Sequence, residues 1–209
     1  MSGTIPFDTP WLPGSPIERL LQKLGWVLAA LDSFPAAEPV TRVPARALQE
    51  RDPDAWSSLF EAEMPAIFRY VRSRMGDPET AEDITGEVFE EAWRHAGTYE
   101  DRGLPPRAWL FGIARNVVAS HRRRWFRRPP HLSLEAYDRP VEDQLSAEML
   151  DLLRAVEQLP GSQAEVVTLR FVHGLNLEET AAALNTTVDA VKARQARALT
   201  RLRELCAVA

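Results

Sequence analysis

The sequence predicts an all-α protein of two small helical domains, the second carrying a helix-turn-helix, and three observations predict it. Apolar residues recur at helical spacing in one segment after another. No stretch alternates with the period of a strand between hairpin turns. Sixteen prolines against ten glycines gather in residues 6–16, 35–53 and 105–140, where they mark joints. At 209 residues and 45% apolar content, the chain has the material for real cores.

Residues 1–50 form an N-terminal extension with one amphipathic segment, its stripe running through Ile17, Leu20, Leu21, Leu24, Val27, Leu28 and Leu31. An exposed stripe of that kind needs cover, so residues 16–33 are expected to make an intramolecular contact. The apolar run 24–31 is too short to span a bilayer and has Glu18, Lys23 and Asp32 around it. With no basic leader, neither export nor membrane insertion is expected. The single cysteine, Cys206, excludes an internal disulfide and points to the reducing cytoplasm.

A first domain is expected over 51–128. Pro53 suits a first helical turn, and Trp56, Leu59, Phe60, Met64, Ile67, Phe68 and Val71 form one apolar face that Pro65 would kink or divide. Asp77 and Pro78 restart a helix whose stripe is Ala81, Ile84, Val88 and Ala92, with Phe89 and Trp93 beside it, ending at Gly97. The loop GTYEDRGLPP leads into a helix from about Pro106 to Phe126, apolar in its first half and basic in its second, SHRRRWFRR. Residues 129–144, with four acids and three prolines, read as a flexible acidic linker. The second domain, 145–209, holds four helices. Ser162 with Glu165 and Asn176 with Glu179 have capping-box spacing, and the last helix runs from about Val188 to Cys206.

The net charge of −5 conceals separate blocks. Residues 51–101 carry 13 acids against 5 bases, whereas 102–130 carry 8 bases and no acid. A second basic group, Lys192, Arg194, Arg197, Arg201 and Arg203, lies on the last helix. In NLEETAAALNTTVDAVKARQ, Ala181, Ala182 and Ala183 permit close helix approach, and Leu184 and Val188 meet across the turn. This resembles a helix-turn-helix, whose second helix enters the major groove. Thr187, Asp189, Lys192, Ala193, Arg194 and Gln195 to Arg197 then come within range of bases and phosphates, and a bidentate arginine on guanine would contribute about 1–3 kcal/mol of discrimination.

The stretch GDPETAEDITGEVFEEAWRHAGTYEDRGLPPRAWLFGIARNVVASHRRR resembles region two of bacterial sigma factors of the extracytoplasmic-function (ECF) group. LPGSQAEVVTLRFVHGLNLEETAAALNTTVDAVKARQARALTRLR resembles their region four. The resemblance implies a transcription initiation factor that binds core RNA polymerase and promoter DNA, needs no cofactor, and is held in check by an anti-sigma factor. It assigns polymerase docking to Asp83, Ile84, Glu87, Val88 and Glu91. The acids among these recur every four residues and form one edge. It assigns the minus-ten element to Tyr99, stacking on an unpaired base, and to Asn116, Ser120, Arg123 and Arg127. It assigns the minus-thirty-five element to Thr187, Lys192, Ala193, Arg194 and Arg197. The resemblance does not extend to residues 1–50, and Ala119-Ser120, Ala193 and Gln195 depart from the family pattern.

No catalytic or metal site emerges. His95, His121, His131 and His173 are scattered and have neither a cysteine partner nor H-E-x-x-H spacing. A nuclease would have to draw its metal-binding carboxylates from the acidic helix 79–91. The main alternative is a free-standing helix-turn-helix regulator that binds duplex DNA without polymerase. It leaves the basic helix 106–127 without a role.

Overall fold

The computed structural model describes residues 43–125, 152 and 154–207, all helix, turn or irregular chain with no strand among them. The amphipathic segment 16–33, the acidic linker 129–144 and Arg127 lie outside the described residues.

The first unit begins with α1 (Ala45–Gln49), followed by α2 (Pro53–Met75), α3 (Pro78–His95), a 3₁₀ turn (Ala96–Thr98) and α4 (Pro106–Trp125). Asp52 and Asp77 cap α2 and α3 by accepting from the backbone N–H of Ala55 at 2.9 Å and of Thr80 at 2.7 Å. A proline follows each cap, where its missing N–H costs nothing. Helix α2 runs unbroken through Pro65, because the surrounding turn is clamped by packing; Ala66 and Ile67 are fully buried. The chain leaves α3 through the 3₁₀ turn that contains Gly97.

Helices α2, α3 and α4 pack on one another around Leu59, Ile67, Ile84, Val88 and Leu110, all essentially inaccessible. α1 belongs to this unit, since Leu48 is fully buried and its carbonyl accepts from Trp56 Nε1 at 3.1 Å.

The second unit comprises a helical stretch at 154–157, α5 (Gly161–Val167) continued by a π turn (Thr168–Val172), α6 (Leu177–Ala183) and α7 (Val188–Ala207). Asn176 and Glu179 make the full capping box, both bonds at 2.8 Å. Ser162 and Glu165 do not. Pro160 occupies the cap of α5, and Glu165 is drawn away to partners in the first unit. Gly174, at φ 71°, reverses the chain after the π turn and leaves His173 at the corner.

The two units touch. α6 packs along α4, and a Cβ on Gly112 would be in ordinary van der Waals contact with the carbonyl oxygen of Ala183 at 3.5 Å. The Tyr70 hydroxyl donates to Glu165 at 2.6 Å, and Arg74 lies 3.5 Å from the same carboxylate. Arg107 donates to the carbonyl of His173 at 2.8 Å and lies 3.4 Å from buried Glu63. The His173 ring enters the first unit, 5.7 Å from the Tyr70 ring and 5.1 Å from that of Phe111. Burial, with Arg69, Arg107 and Arg74 nearby, holds its pKa well below the ordinary imidazole value. Burial pushes the Glu63 carboxyl up, and Arg107 offsets this in part.

Candidate protein and nucleic-acid interfaces

The outer face of α3 is acidic. Asp83 and Glu87 are exposed and Glu91 is partly so, one helical turn apart. Glu91 pairs with Arg94 and with His95, the latter at 2.8 Å; Glu87 reaches His121 of α4 at 2.6 Å. Ile84 and Val88 point the other way, into the core at 1% and 0% exposure, so no surface of theirs is offered to a partner.

The apolar surface beside the acidic edge comes from elsewhere. Phe60 and Trp93 are the two large apolar side chains exposed among the described residues, at 44% and 43%, and both line a groove between α2 and α3. Gly86 sits in the same groove and leaves it open. The walls are braced by edge contacts, Phe60 on Phe89 at 4.8 Å and Trp93 on Trp56 at 5.0 Å, and Arg51 donates to the Trp93 carbonyl at 3.3 Å. Sequence reasoning put Phe60 and Trp93 with the core stripes. An apolar stripe has flanks, and helical spacing alone does not say which flank another helix covers.

A second feature is the loop before α4. Tyr99 is 6% exposed, its ring 4.8 Å from that of Trp109, and its carbonyl accepts from Gln49 at 2.7 Å. The Tyr99 ring, expected to meet an unpaired base, is packed against Trp109, and the two help to wall a pocket of about 320 Å³, together with Thr98, Arg102, Leu104 and, from the second unit, Ala182.

Beyond the pocket, Asn116, Ser120 and Arg123 share one face of α4 by helical spacing, exposed except for partly covered Ser120. Arg122 turns inward to donate to the Arg74 carbonyl at 2.9 Å. α4 is therefore half core and half basic surface, as its sequence divides.

The third feature is α6, the turn and α7. Asn185 adopts the left-handed conformation, φ 48°, as asparagine tolerates, and the Thr187 hydroxyl accepts from the N–H of Ala190 at 3.2 Å to open α7. Thr187, Lys192, Ala193 and Arg197 are exposed and Arg194 partly so. Gln195 is not available to DNA. It is 3% exposed and accepts from Arg170 Nε at 2.9 Å, a bond that ties α7 to the π turn.

Among the described residues, no three His, Cys, Asp or Glu side chains converge to hold a metal ion. No helix among them is long and apolar enough to cross a membrane.

Comparison with known proteins follows the same division. The family model for sigma-70 region 2 matches residues 59–127, and that for sigma-70 region 4 matches residues 155–204. The chain is 37% identical over 164 residues to the ECF RNA polymerase sigma factor BldN of Streptomyces coelicolor, across 75% of this chain but 62% of BldN. It is 35% identical to the ECF RNA polymerase sigma factor SigD of Mycobacterium tuberculosis, across 73% of this chain and 77% of SigD. Among solved structures it resembles CnrH in complex with the cytosolic domain of CnrY. That match has a TM-score of 0.60 at 25% identity and covers 81% of this chain and 99% of that one. It also resembles the sigma factor RpoE in complex with the anti-sigma factor NepR from Bartonella quintana, with a TM-score of 0.54 at 25% identity, covering 73% and 97%.

Proposed function

Because the chain belongs to the ECF family of RNA polymerase sigma factors, we propose that it is a dissociable transcription initiation factor that binds core RNA polymerase, recognises promoter DNA and promotes its melting. One observation carries this reading most of the way. The two sigma-70 regions occur in order, and the acidic and basic surfaces fall on different faces of the units they match.

Polymerase docks on the first unit, on the edge formed by Asp83, Glu87 and Glu91 and in the adjoining groove of Phe60 and Trp93. Ile84 and Val88 support that helix from below. The pocket between the 98–105 loop and Trp109 receives an unpaired minus-ten base, Asn116, Ser120 and Arg123 follow the strand along α4, and Arg127, beyond that helix in the chain, adds a contact to the same strand. Thr187, Lys192, Ala193, Arg194 and Arg197 read the minus-thirty-five duplex from α7. Arginine and lysine contacts to phosphate make binding salt-dependent, and base contacts set the preference.

The acidic linker 129–144 occupies a basic channel of the polymerase. An anti-sigma factor restrains the free chain, a reading supported by the complex of RpoE with its anti-sigma factor NepR. Residues 16–33 fold back on one of the units. Since α1 is part of the core, the truncation that tests this contact removes residues 1–42 and should raise core binding. The protein acts in the cytoplasm, where its polymerase is, as a binding factor and not an enzyme.

Multi-round transcription with purified core polymerase on a promoter library tests the whole reading. Initiation at a defined subset of promoters, dependent on this chain, is the expected result. A free-standing regulator would bind duplex sites alone and leave core polymerase unable to start, and the region 2 match over the basic helix would then have no role.

A further inference from the structure

Gln195 is a polar residue in the middle of an apolar face. Val191, one turn before it on α7, and Ala198, Leu199 and Leu202 beyond it are all essentially inaccessible. Gln195 is 3% exposed, and its side-chain oxygen accepts from Arg170 Nε at 2.9 Å. An apolar residue would fill this place without the cost of burying an amide. Gln195 is also one of the residues at which the chain departs from the family pattern, so the bond is a feature of this chain and not a requirement of the fold.

The same guanidinium does a second thing. Its Nη1 donates to the carbonyl of Leu175 at 2.8 Å, and Leu175 immediately precedes Asn176, the cap of α6. One planar group on the π turn therefore holds the entrance of α6 and the middle of α7, the two helices of the helix-turn-helix. Its donors point in fixed directions, so two simultaneous bonds fix an angle as well as a distance.

We propose that Gln195 and Arg170 are positioning residues for promoter reading: their buried bond sets the angle at which α7 meets the minus-thirty-five duplex, although neither side chain reads a base. The inference rests on the reading of α7 as the helix that enters that duplex.

Apolar packing alone does not set such an angle. Helices packed through apolar side chains scatter by about 15–20° around a preferred crossing angle. Thr187 lies two turns before Gln195, ~12 Å along the axis at about 1.5 Å per residue, so a tilt of ~20° about Gln195 moves it by ~4 Å. A hydrogen bond to a base edge tolerates only about 0.5 Å. A buried polar contact resists that tilt because it is satisfied in one register, as a single buried asparagine fixes register in a coiled coil. Thr187, Lys192, Ala193 and Arg197, all exposed on α7, are the residues so aimed.

The test uses holoenzyme made with the full chain, on one promoter selected by transcription and on the same promoter with its minus-thirty-five element scrambled. The readout is the ratio of initiation rates on the two. A loss of folded protein scales both rates and leaves the ratio untouched. Gln195→Met keeps the length of the side chain and removes the acceptor, Arg170→Met removes the donor, and Gln195→Glu keeps an acceptor for Arg170. The parent should prefer the intact promoter. Each Met variant should lower the ratio about fivefold or more, as the loss of a base contact would. The double variant should lower it no further than the worse single one, because both remove the same bond. Gln195→Glu should stay within about twofold of the parent, since its carboxylate still accepts from Arg170.

An unchanged ratio in either Met variant, additive losses in the double variant, or a loss in Gln195→Glu as large as that in Gln195→Met overturns the proposal. Failure of the underlying reading looks different. The parent itself would then start equally well on both promoters, and the positioning role would fall with the reading of α7.

Discussion

Packing within each unit and packing between the units are made of different materials. Inside the first unit the central contacts are Leu59, Ile67, Val88 and Leu110, all at 0% exposure, a dry aliphatic centre with no polar atom to satisfy. Between the units the contact is carried by a tyrosine-carboxylate bond, the arginines Arg74 and Arg107 and the ring of His173. Burying an apolar side chain contributes about 1.5–3 kcal/mol with no later penalty, whereas each buried polar group left unpaired costs about 1–3 kcal/mol. The same chain thus holds one kind of contact that is wholly apolar and another that keeps the ring nitrogens of His173 buried without a hydrogen-bond partner.

The sharpest way to break this contrast is to attack the dry centre. Leu110→Ala should cost about 2–5 kcal/mol of stability, measured by urea unfolding, and abolish core binding because the unit itself loosens. If unfolding is barely shifted, the centre is not the rigid element described.

The outer groove should behave oppositely. Phe60→Ala or Trp93→Ala removes a side chain already more than two-fifths exposed, so stability changes little. Affinity for core polymerase should fall about 30-fold, the size of an interface hot spot near 2 kcal/mol. Titration of labelled core polymerase distinguishes this from a stability effect.

The inter-unit contact lies between these extremes. Tyr70→Phe keeps the ring that edges on Phe111 and His173 but removes the hydroxyl that bonds Glu165, a charge-assisted bond of about 1.5–3 kcal/mol. The contact between the units should weaken roughly tenfold, measured by amide hydrogen exchange around Tyr70 and His173, while the unfolding midpoint of each unit moves little.

The smallest effect is the response to pH. His173 is held neutral in this contact by burial and by Arg69, Arg107 and Arg74, with Tyr70 and Phe111 against its ring. A depressed histidine pKa means that protons bind better when the ring is exposed to water. The contact is therefore at full strength above the ordinary imidazole value of about 6.5 and weakens as pH falls through and below it, by at most about tenfold per pH unit. Glu63, raised by burial, works in the opposite direction as its carboxyl takes up a proton. In His173→Gln, weakening between pH 7.5 and 5.5 should disappear. Its persistence would place the pH response elsewhere.

The helices were legible because their signals are local. Asp52-Pro53, Asp77-Pro78 and the Asn176/Glu179 box act within one turn, and each does in the structure what its spacing implies. The basic half of α4 and the exposed basic face of α7 were legible for the same reason.

What the sequence did not reveal depends on contacts between distant elements. Ile84 and Val88 share a helix with Asp83 and Glu87, but only the positions of α2 and α4 decide which of them faces outward. Tyr99 is covered by Trp109, and Gln195 by Arg170, through contacts with no mark in their own segments. Ser162 and Glu165 carry the spacing of a capping box, yet Glu165 answers to Tyr70, 95 residues away in the chain. His173 was read as one of four scattered histidines; its place against Tyr70 and Phe111 needs the other unit to be seen.

The most direct test of the central claim is promoter affinity with and without polymerase, measured on one promoter selected by transcription and at one salt concentration. An acidic chain that gains its main binding partner in polymerase should bind that promoter weakly alone, and at least a hundredfold more tightly as holoenzyme, with strand opening only in the second case. Equal affinity of the free chain and the holoenzyme would contradict the account and identify the protein as a regulator that reads duplex DNA by itself.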